Sequence, residues 1–308
     1  METKALDLLK KYYGYSSFRP GQKEIVENVV AGRDTLVLMP TGGGKSICYQ
    51  IPALLLPGCA IVVSPLIALM NDQVQALRAN GIAAAAIHSN QDESINQSNL
   101  SLAREGKMKL LYISPERLMI EISKIAEMVK VSLIAIDEAH CISQWGHDFR
   151  PVYTSLRTVK NMFPGAPVMA LTATADRLTR NDISNALGLH DPFRWTGSFD
   201  RPNISLKVVN DPGKRQRLRI IADLITKYHL DSGIVYCLSR KKTEDMHEAL
   251  SDMGFKSVCY HAGLSPEQRE QAQKAFVNGE AQVVCATIAF GMGIDKSNIR
   301  WVVHNNIP

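Results

Sequence analysis

The chain has 308 residues, a net charge of +5, and 45% apolar against 21% charged side chains. At roughly 150 residues per domain this is about two globular domains, and the composition excludes a disordered or fibrous protein. The mild basic excess permits nucleic acid as a partner without demanding it.

The first fifteen residues, METKALDLLKKYYGY, carry charges among their apolar positions, which is not the pattern of a signal peptide. Continuous apolar runs at 35–39, 59–63, 110–113, 133–136 and 168–171 predict strands buried on both faces. Amphipathic stretches at 21–31, 45–55, 67–80 and 179–187 predict helices between them. No charge occurs between Lys45 and Asp72, but Pro52, Pro57, Gly58 and Pro65 divide that run into helix, buried strand and helix. Each piece is too short to span a bilayer, so no membrane association is expected. A turn-like Asp200-Arg201-Pro202-Asn203 follows. Strands are then predicted at 204–209, 233–237, 257–260, 283–286 and 301–304, with helices at 216–229, 243–253 and 266–278. Alternation of this kind predicts an α/β protein with two parallel-sheet lobes, residues 1–200 and 201–308.

The second lobe carries the basic excess, 15 Lys+Arg against 11 Asp+Glu, with basic runs at 214–219 and 240–242. The six cysteines, at 48, 59, 141, 237, 259 and 285, never fall within ten residues of one another. That spacing excludes a CxxC zinc ribbon and a disulfide scaffold, and points to a reducing intracellular compartment. His140, His147 and His261 share no ligand spacing with each other or with the cysteines, so no zinc site is expected.

Two motifs carry chemistry. The run 35–39 leads through Pro40, Thr41, Gly42, Gly43 and Gly44 to Lys45 and Ser46 at the start of a helix. Glycine amides can wrap a phosphate chain, and the following helix points its positive end at it. Lys45 would reach the β- and γ-phosphates, and Ser46 would hold Mg²⁺. The first glycine of the usual phosphate-loop pattern is replaced by Met39. The run 133–136 ends in Asp137 and Glu138. There Asp137 would bind Mg²⁺, and Glu138 would orient and deprotonate the attacking water. Together the two motifs predict an Mg-dependent nucleoside triphosphatase with Lys45, Asp137 and Glu138 as its catalytic residues.

Asp137-Glu138-Ala139-His140 continues directly into CISQWGHDFRP at 141–151. With YGYSSFRPGQ at 13–22, SPLIALM at 64–70, SPERL at 114–118, LTATA at 171–175, IVYC at 234–237, YHAG at 260–263 and ATIAFGMGID at 286–295, the chain resembles the RecQ family of superfamily-two DNA helicases over nearly its whole length. The resemblance implies two RecA-like lobes. It implies ATP and Mg²⁺ as cofactors, and single-stranded and partially duplex DNA as partners. ATP-driven 3′-to-5′ unwinding in DNA repair and recombination is expected, in a bacterial nucleoid or a eukaryotic nucleus. Gln22 would pair with the adenine edge, Tyr15 would stack on the base, and Arg19 would support the site. Gly291, Gly293 and Asp295 would face the ATP cleft from the second lobe. Ser64, Pro65 and Arg117 would touch the DNA backbone, while Thr172 and Thr174 would couple hydrolysis to motion. Trp145 and Phe149 would stack on unpaired bases, with Arg150 adding a phosphate or cation–π contact, and His140 and His147 as polar coupling groups. In the family an arginine segment follows the last predicted strand. The sequence stops at Pro308 before it, so the second lobe is expected to be incomplete. A non-hydrolysing ATP- and DNA-binding fragment is the alternative reading. An RNA helicase, which shares Asp-Glu-Ala-His, does not account for the aromatic loop.

Overall fold

The computed structural model describes residues 2–143, 149–198, 200, 203–210, 213–288, 290–291 and 296–306. Two compact units emerge, Met1–Pro202 and Asn203–Pro308.

The first unit runs α1 (Glu2–Tyr13), α2 (Gln22–Val30), β1 (Thr35–Leu38), α3 (Lys45–Leu55), β2 (Cys59–Val63), α4 (Ile67–Ala79), β3 (Ala84–Ile87), α5 (Glu93–Arg104), β4 (Leu110–Ile113), α6 (Pro115–Met128) and β5 (Val131–Ile136). A 3-10 turn at Ala139–Ile142, the short α7 (Pro151–Thr154), a second 3-10 turn at Ser155–Thr158, α8 (Val159–Met162), β6 (Val168–Thr172), α9 (Arg177–Ala186) and β7 (Phe193–Thr196) complete it. Seven strands form one sheet in the order β3-β4-β2-β5-β6-β1-β7, every pair parallel.

The continuous apolar runs have a physical reason. Alternate residues of one strand enter opposite cores: Ile61, Val63, Ile134 and Ile136 pack on one face, and Ala60, Val62, Leu133 and Ala135 on the other. Helices α2, α3 and α4 cover the second face through Ile25, Tyr49 and Met70, while α6 and α9 cover the first through Ile122 and Ile183. The charge-free run is indeed helix, strand and helix. Among the described residues no helix is long and apolar enough to cross a membrane.

The second unit runs α10 (Lys214–Lys227), β8 (Ser232–Tyr236), α11 (Arg240–Asp252), β9 (Ser257–Tyr260), α12 (Pro266–Val277), β10 (Val283–Ala286) and β11 (Ile299–His304). Its parallel sheet has the order β11-β8-β10-β9. Strand β10 again divides its side chains, Val283 and Cys285 to one core and Val284 and Ala286 to the other. Trp301 lies flat over Gly233, where any Cβ would collide with the indole.

One predicted strand is corrected. Residues 204–209 form no strand, and Leu206 is 91% exposed with Val208 close to it at 87%. A strand needs a paired neighbour, and no sheet of the described residues includes this segment. The six cysteines are free thiols.

Candidate nucleotide site and its surroundings

A fully parallel sheet brings the C-terminal end of every strand to one edge, the usual place for a ligand in such folds. Strand β6 pairs with both β1 and β5, so the segments that follow these three strands are neighbours. They carry the phosphate loop, the acidic pair and Thr172.

The loop leaves β1 at Met39, whose N–H donates to the Thr172 carbonyl at 3.0 Å. Thr41 and the three glycines follow. Gly42 and Gly44 have φ of 78° and 88°, a left-handed backbone that favours glycine. A Cβ on Gly43 would stand 2.6 Å from Met39 Cγ, so Met39 fills the space beneath the loop. Lys45 Nζ donates to the Met39 carbonyl at 3.4 Å, which folds the side chain back over the loop. Ser46 follows in the first turn of α3.

The segment before α2 grips this loop. Arg19 donates to the Gly42 carbonyl. Gln22 is 3% exposed; its Nε2 donates to the Gly44 carbonyl at 3.1 Å, and its Oε1 accepts from the Arg19 N–H at 2.9 Å. Both edges of the amide expected to read adenine are thus engaged by protein groups. Tyr15 stands exposed in the same segment. Trp195 was not foreseen as part of this region. Its ring lies against Gly21 and Gly197, and a Cβ on Gly21 would fall inside it. Nothing in the spacing of the motif marks a residue so distant in sequence.

At the end of β5, Asp137 is buried, and its Oδ1 accepts the Glu138 N–H at 3.0 Å. Burial, then repulsion from Glu138, push the Asp137 carboxyl up to about 6, while Lys45 pulls it down. Against its own burial, Glu138 is held below the ordinary range by His140 and Lys45. Its backbone is left-handed, φ 48°, which is costly for a residue with a Cβ. His140 Nδ1 stands 2.9 Å from Thr172 Oγ1 and 3.3 Å from Glu138 Oε2. The Cys141 sulfur and the Glu138 carboxylate push His140 up to about 10, so it is an imidazolium at neutral pH. Thr172 Oγ1 also accepts the Thr174 N–H at 3.2 Å. Loop, acids and the 172–174 segment therefore form one hydrogen-bonded structure around the end of β6.

Residues 19–182 match the DEAD/DEAH box helicase model, and residues 216–308 match the helicase conserved C-terminal domain. The chain belongs to the DEAD/DEAH box helicase family. Within it, this is a RecQ-type sequence. It is 51% identical over 305 residues to a Pasteurella multocida protein named "ATP-dependent DNA helicase RecQ", covering 99% of this chain and 48% of that one. A Bacillus subtilis protein of the same name is 46% identical, with 99% and 52% covered. The chain spans about half the length of these curated relatives. Among solved structures, S. cerevisiae Dbp5 bound to RNA and ADP BeF3 has the same fold at a TM-score of 0.72 and 16% identity, with 98% of this chain and 78% of that one covered. The two RecA-like sheets are thus those of a helicase core.

Around the helicase motifs, the remaining site candidates divide. Arg150 donates from a guanidinium nitrogen to the Pro65 carbonyl at 3.2 Å, joining the aromatic loop to the segment after β2. Phe149 beside it is half-buried. Ser64 is buried, and its hydroxyl has no hydrogen-bond partner among the described residues. Arg117 is engaged within the protein. Its guanidinium meets Glu93 and Glu121 at 2.6 Å each, so it braces α5 against α6. In the second unit Gly291 has φ 128°, and a Cβ there would lie 2.7 Å from the Tyr236 hydroxyl, which itself donates to the Phe290 carbonyl. Trp145, His147, Gly293 and Asp295 lie outside the described residues.

Proposed function

We propose that this chain is the motor portion of an ATP-dependent DNA helicase, with residues 1–200 binding Mg-ATP and residues 201–308 forming a second functional lobe. Its turnover would drive 3′-to-5′ movement along single-stranded DNA and duplex unwinding in repair and recombination. The observation that carries the reading is the convergence of Lys45, Asp137 and Glu138 at one sheet edge, linked through His140 and Thr172 to the loop strand. The names of the RecQ relatives support DNA as the substrate.

The donor set suits Mg²⁺. Asp137 is a buried carboxylate whose burial cost outweighs its partners, and Lys45, next to Ser46 at the start of α3, acts on it electrostatically. A hard divalent cation takes such oxygen ligands, completing its shell with water and phosphate oxygens rather than an all-protein cage. Bound there, it would neutralise charge on the phosphates. The glycine amides of 42–44 would cradle the phosphate chain, and Lys45 would turn from the Met39 carbonyl to the terminal phosphate. Glu138, kept ionised by the His140 imidazolium, would accept the proton of the attacking water. Tyr15, Arg19 and Gln22 would hold the adenine, Gln22 exchanging its contacts with Arg19 and Gly44 for the base edge. Ser64, Pro65, Trp145, His147, Phe149 and Arg150 would contact single-stranded DNA, with His140, Thr172 and Thr174 relaying its presence to the acids.

Phosphate release measured with and without single-stranded DNA tests this reading. Glu138→Gln should lower turnover about 10²–10⁴-fold while ATP still binds. A variant that hydrolyses ATP as fast as the parent chain would overturn it.

A further inference from the structure

A line of polar groups crosses the apolar core beneath α3. Ser46 and Tyr49 both stand on that helix. The Tyr49 and Tyr112 hydroxyls are 3.3 Å apart, their rings in edge contact with centroids 6.4 Å apart. Gln50 Nε2 donates to the Tyr112 hydroxyl at 3.1 Å and to Gln73 Oε1 at 3.0 Å. Tyr49, Gln50 and Tyr112 are all fully or nearly fully buried.

The line begins on α3, whose first turn carries Ser46, the residue read as the metal ligand. It ends on α4, the helix that follows directly from Ser64, Pro65 and Leu66. Its middle member, Tyr112, stands on β4, which pairs with the β2 strand leading into that same segment. Both N–H groups of Gln50 are used, one on Gln73 and one on the Tyr112 oxygen. The Tyr112 oxygen also shares a hydrogen bond with the Tyr49 hydroxyl. A buried polar network is costly unless every member is satisfied, and apolar side chains would pack here more simply. The network ties α4 to α3, the helix whose first turn carries Ser46.

We propose that Gln73, Gln50, Tyr112 and Tyr49 are positioning residues that couple the DNA segment after β2 to the nucleotide loop through the core. The relay rests on the function proposed above, and lies wholly within the first unit. When DNA draws on the 64–66 segment, α4 shifts Gln73, and the network carries that shift to α3 and so to Ser46 in its first turn. Linkage requires the reverse as well: bound Mg-nucleotide must change DNA affinity by the same factor.

The test is an equilibrium measurement on the full chain, independent of turnover. Affinity for a fluorescent oligothymidylate is read by anisotropy with and without a saturating Mg-bound non-hydrolysable ATP analogue. The ratio is the coupling factor, expected at about tenfold for the parent chain. Tyr112→Phe and Gln73→Leu should each bring it to within about twofold of unity, with the affinity for either ligand alone little changed. Gln73 is only half-buried on α4, so its variant keeps the test open where Tyr112→Phe folds poorly. Val74→Ala, an apolar change on the same helix, should lower the melting temperature and leave the factor intact. Full coupling in both relay variants, or loss of coupling in Val74→Ala as well, overturns the relay. A parent chain that binds each ligand without coupling also overturns it and leaves the site reading standing. A parent chain that binds neither ligand refutes the function itself.

Discussion

Arg117 separates a DNA contact from a structural brace, and the two make opposite predictions. Its guanidinium bonds Glu93 and Glu121 at 2.6 Å each, and it is 15% exposed. Glu121 is 2% exposed, with Lys124 3.1 Å from its second oxygen but outside hydrogen-bond geometry. Removing one partner of a buried pair costs about 3–5 kcal/mol, because the survivor is left charged and unpaired. Lys124 and the partial exposure of Arg117 reduce this, so Arg117→Ala should cost about 2 kcal/mol. For a unit of this size that is about 4–8 °C in melting temperature. Arg117→Met with Glu121→Met removes both charges and should recover most of the loss, since apolar replacement of such a pair is often neutral. Thermal unfolding by circular dichroism gives the first quantity and oligothymidylate anisotropy the second. An unchanged melting temperature with a tenfold loss of DNA affinity would refute the brace and restore Arg117 as a phosphate contact.

Two further outcomes follow from the acidic edge. Burial raises the Asp137 carboxyl to about 6, so ionising it opposes folding as pH rises from about 4 to about 6. Asp137→Asn should therefore melt higher than the parent chain at pH 8 without divalent cation, while losing the stabilisation that Mg-ATP confers; a lower melting temperature would contradict the assignment of cost. His140 has the opposite sign. Its folded value of about 10 lies above the ordinary histidine value, so the stabilisation is full below about 6.5 and fades as pH climbs to about 10. The melting-temperature difference between the parent chain and His140→Gln should shrink across that window, and a constant difference would show that the Glu138 pair contributes nothing.

How legible the molecule was depends on where each signal was stored. Buried parallel strands such as β2 and β5 were plain because both faces demand apolar residues, so Cys59–Val63 and Val131–Ile136 read as unbroken runs. Strand β3 escaped notice because three of its four residues are alanine, a weak strand former; its pairing with β4 decides its conformation. Residues 204–209 misled for the converse reason, since apolar alternation describes a suitable strand but supplies no neighbour to pair with. At the site, the phosphate loop and the acids were legible because their chemistry needs fixed residue types at fixed spacing. Trp195 beneath Gly21, and Tyr112 beside Tyr49, are long-range contacts made by ordinary core residues. No local pattern distinguishes them from any other buried aromatic.

The same physics explains why the end of β5 is the least comfortable part of the first unit. The strand itself is apolar and fully satisfied in its ladder. It then delivers two adjacent carboxylates, one buried, and bends sharply at Glu138 through a left-handed backbone. Strain of that kind costs about 1–3 kcal/mol and persists only where neighbours over-determine it. Here the neighbours are identifiable: the Tyr153 hydroxyl donates to the Asp137 carbonyl at 3.2 Å, the Asp137 N–H donates to the Val63 carbonyl at 2.8 Å, and His140 bonds Glu138. The first two hold the Asp137 backbone and the third holds the Glu138 carboxylate, each from a different element. The strain at Glu138 and the burial of Asp137 are thus two halves of one arrangement. It keeps one acid ionised beside His140 and leaves the other buried at a net electrostatic cost.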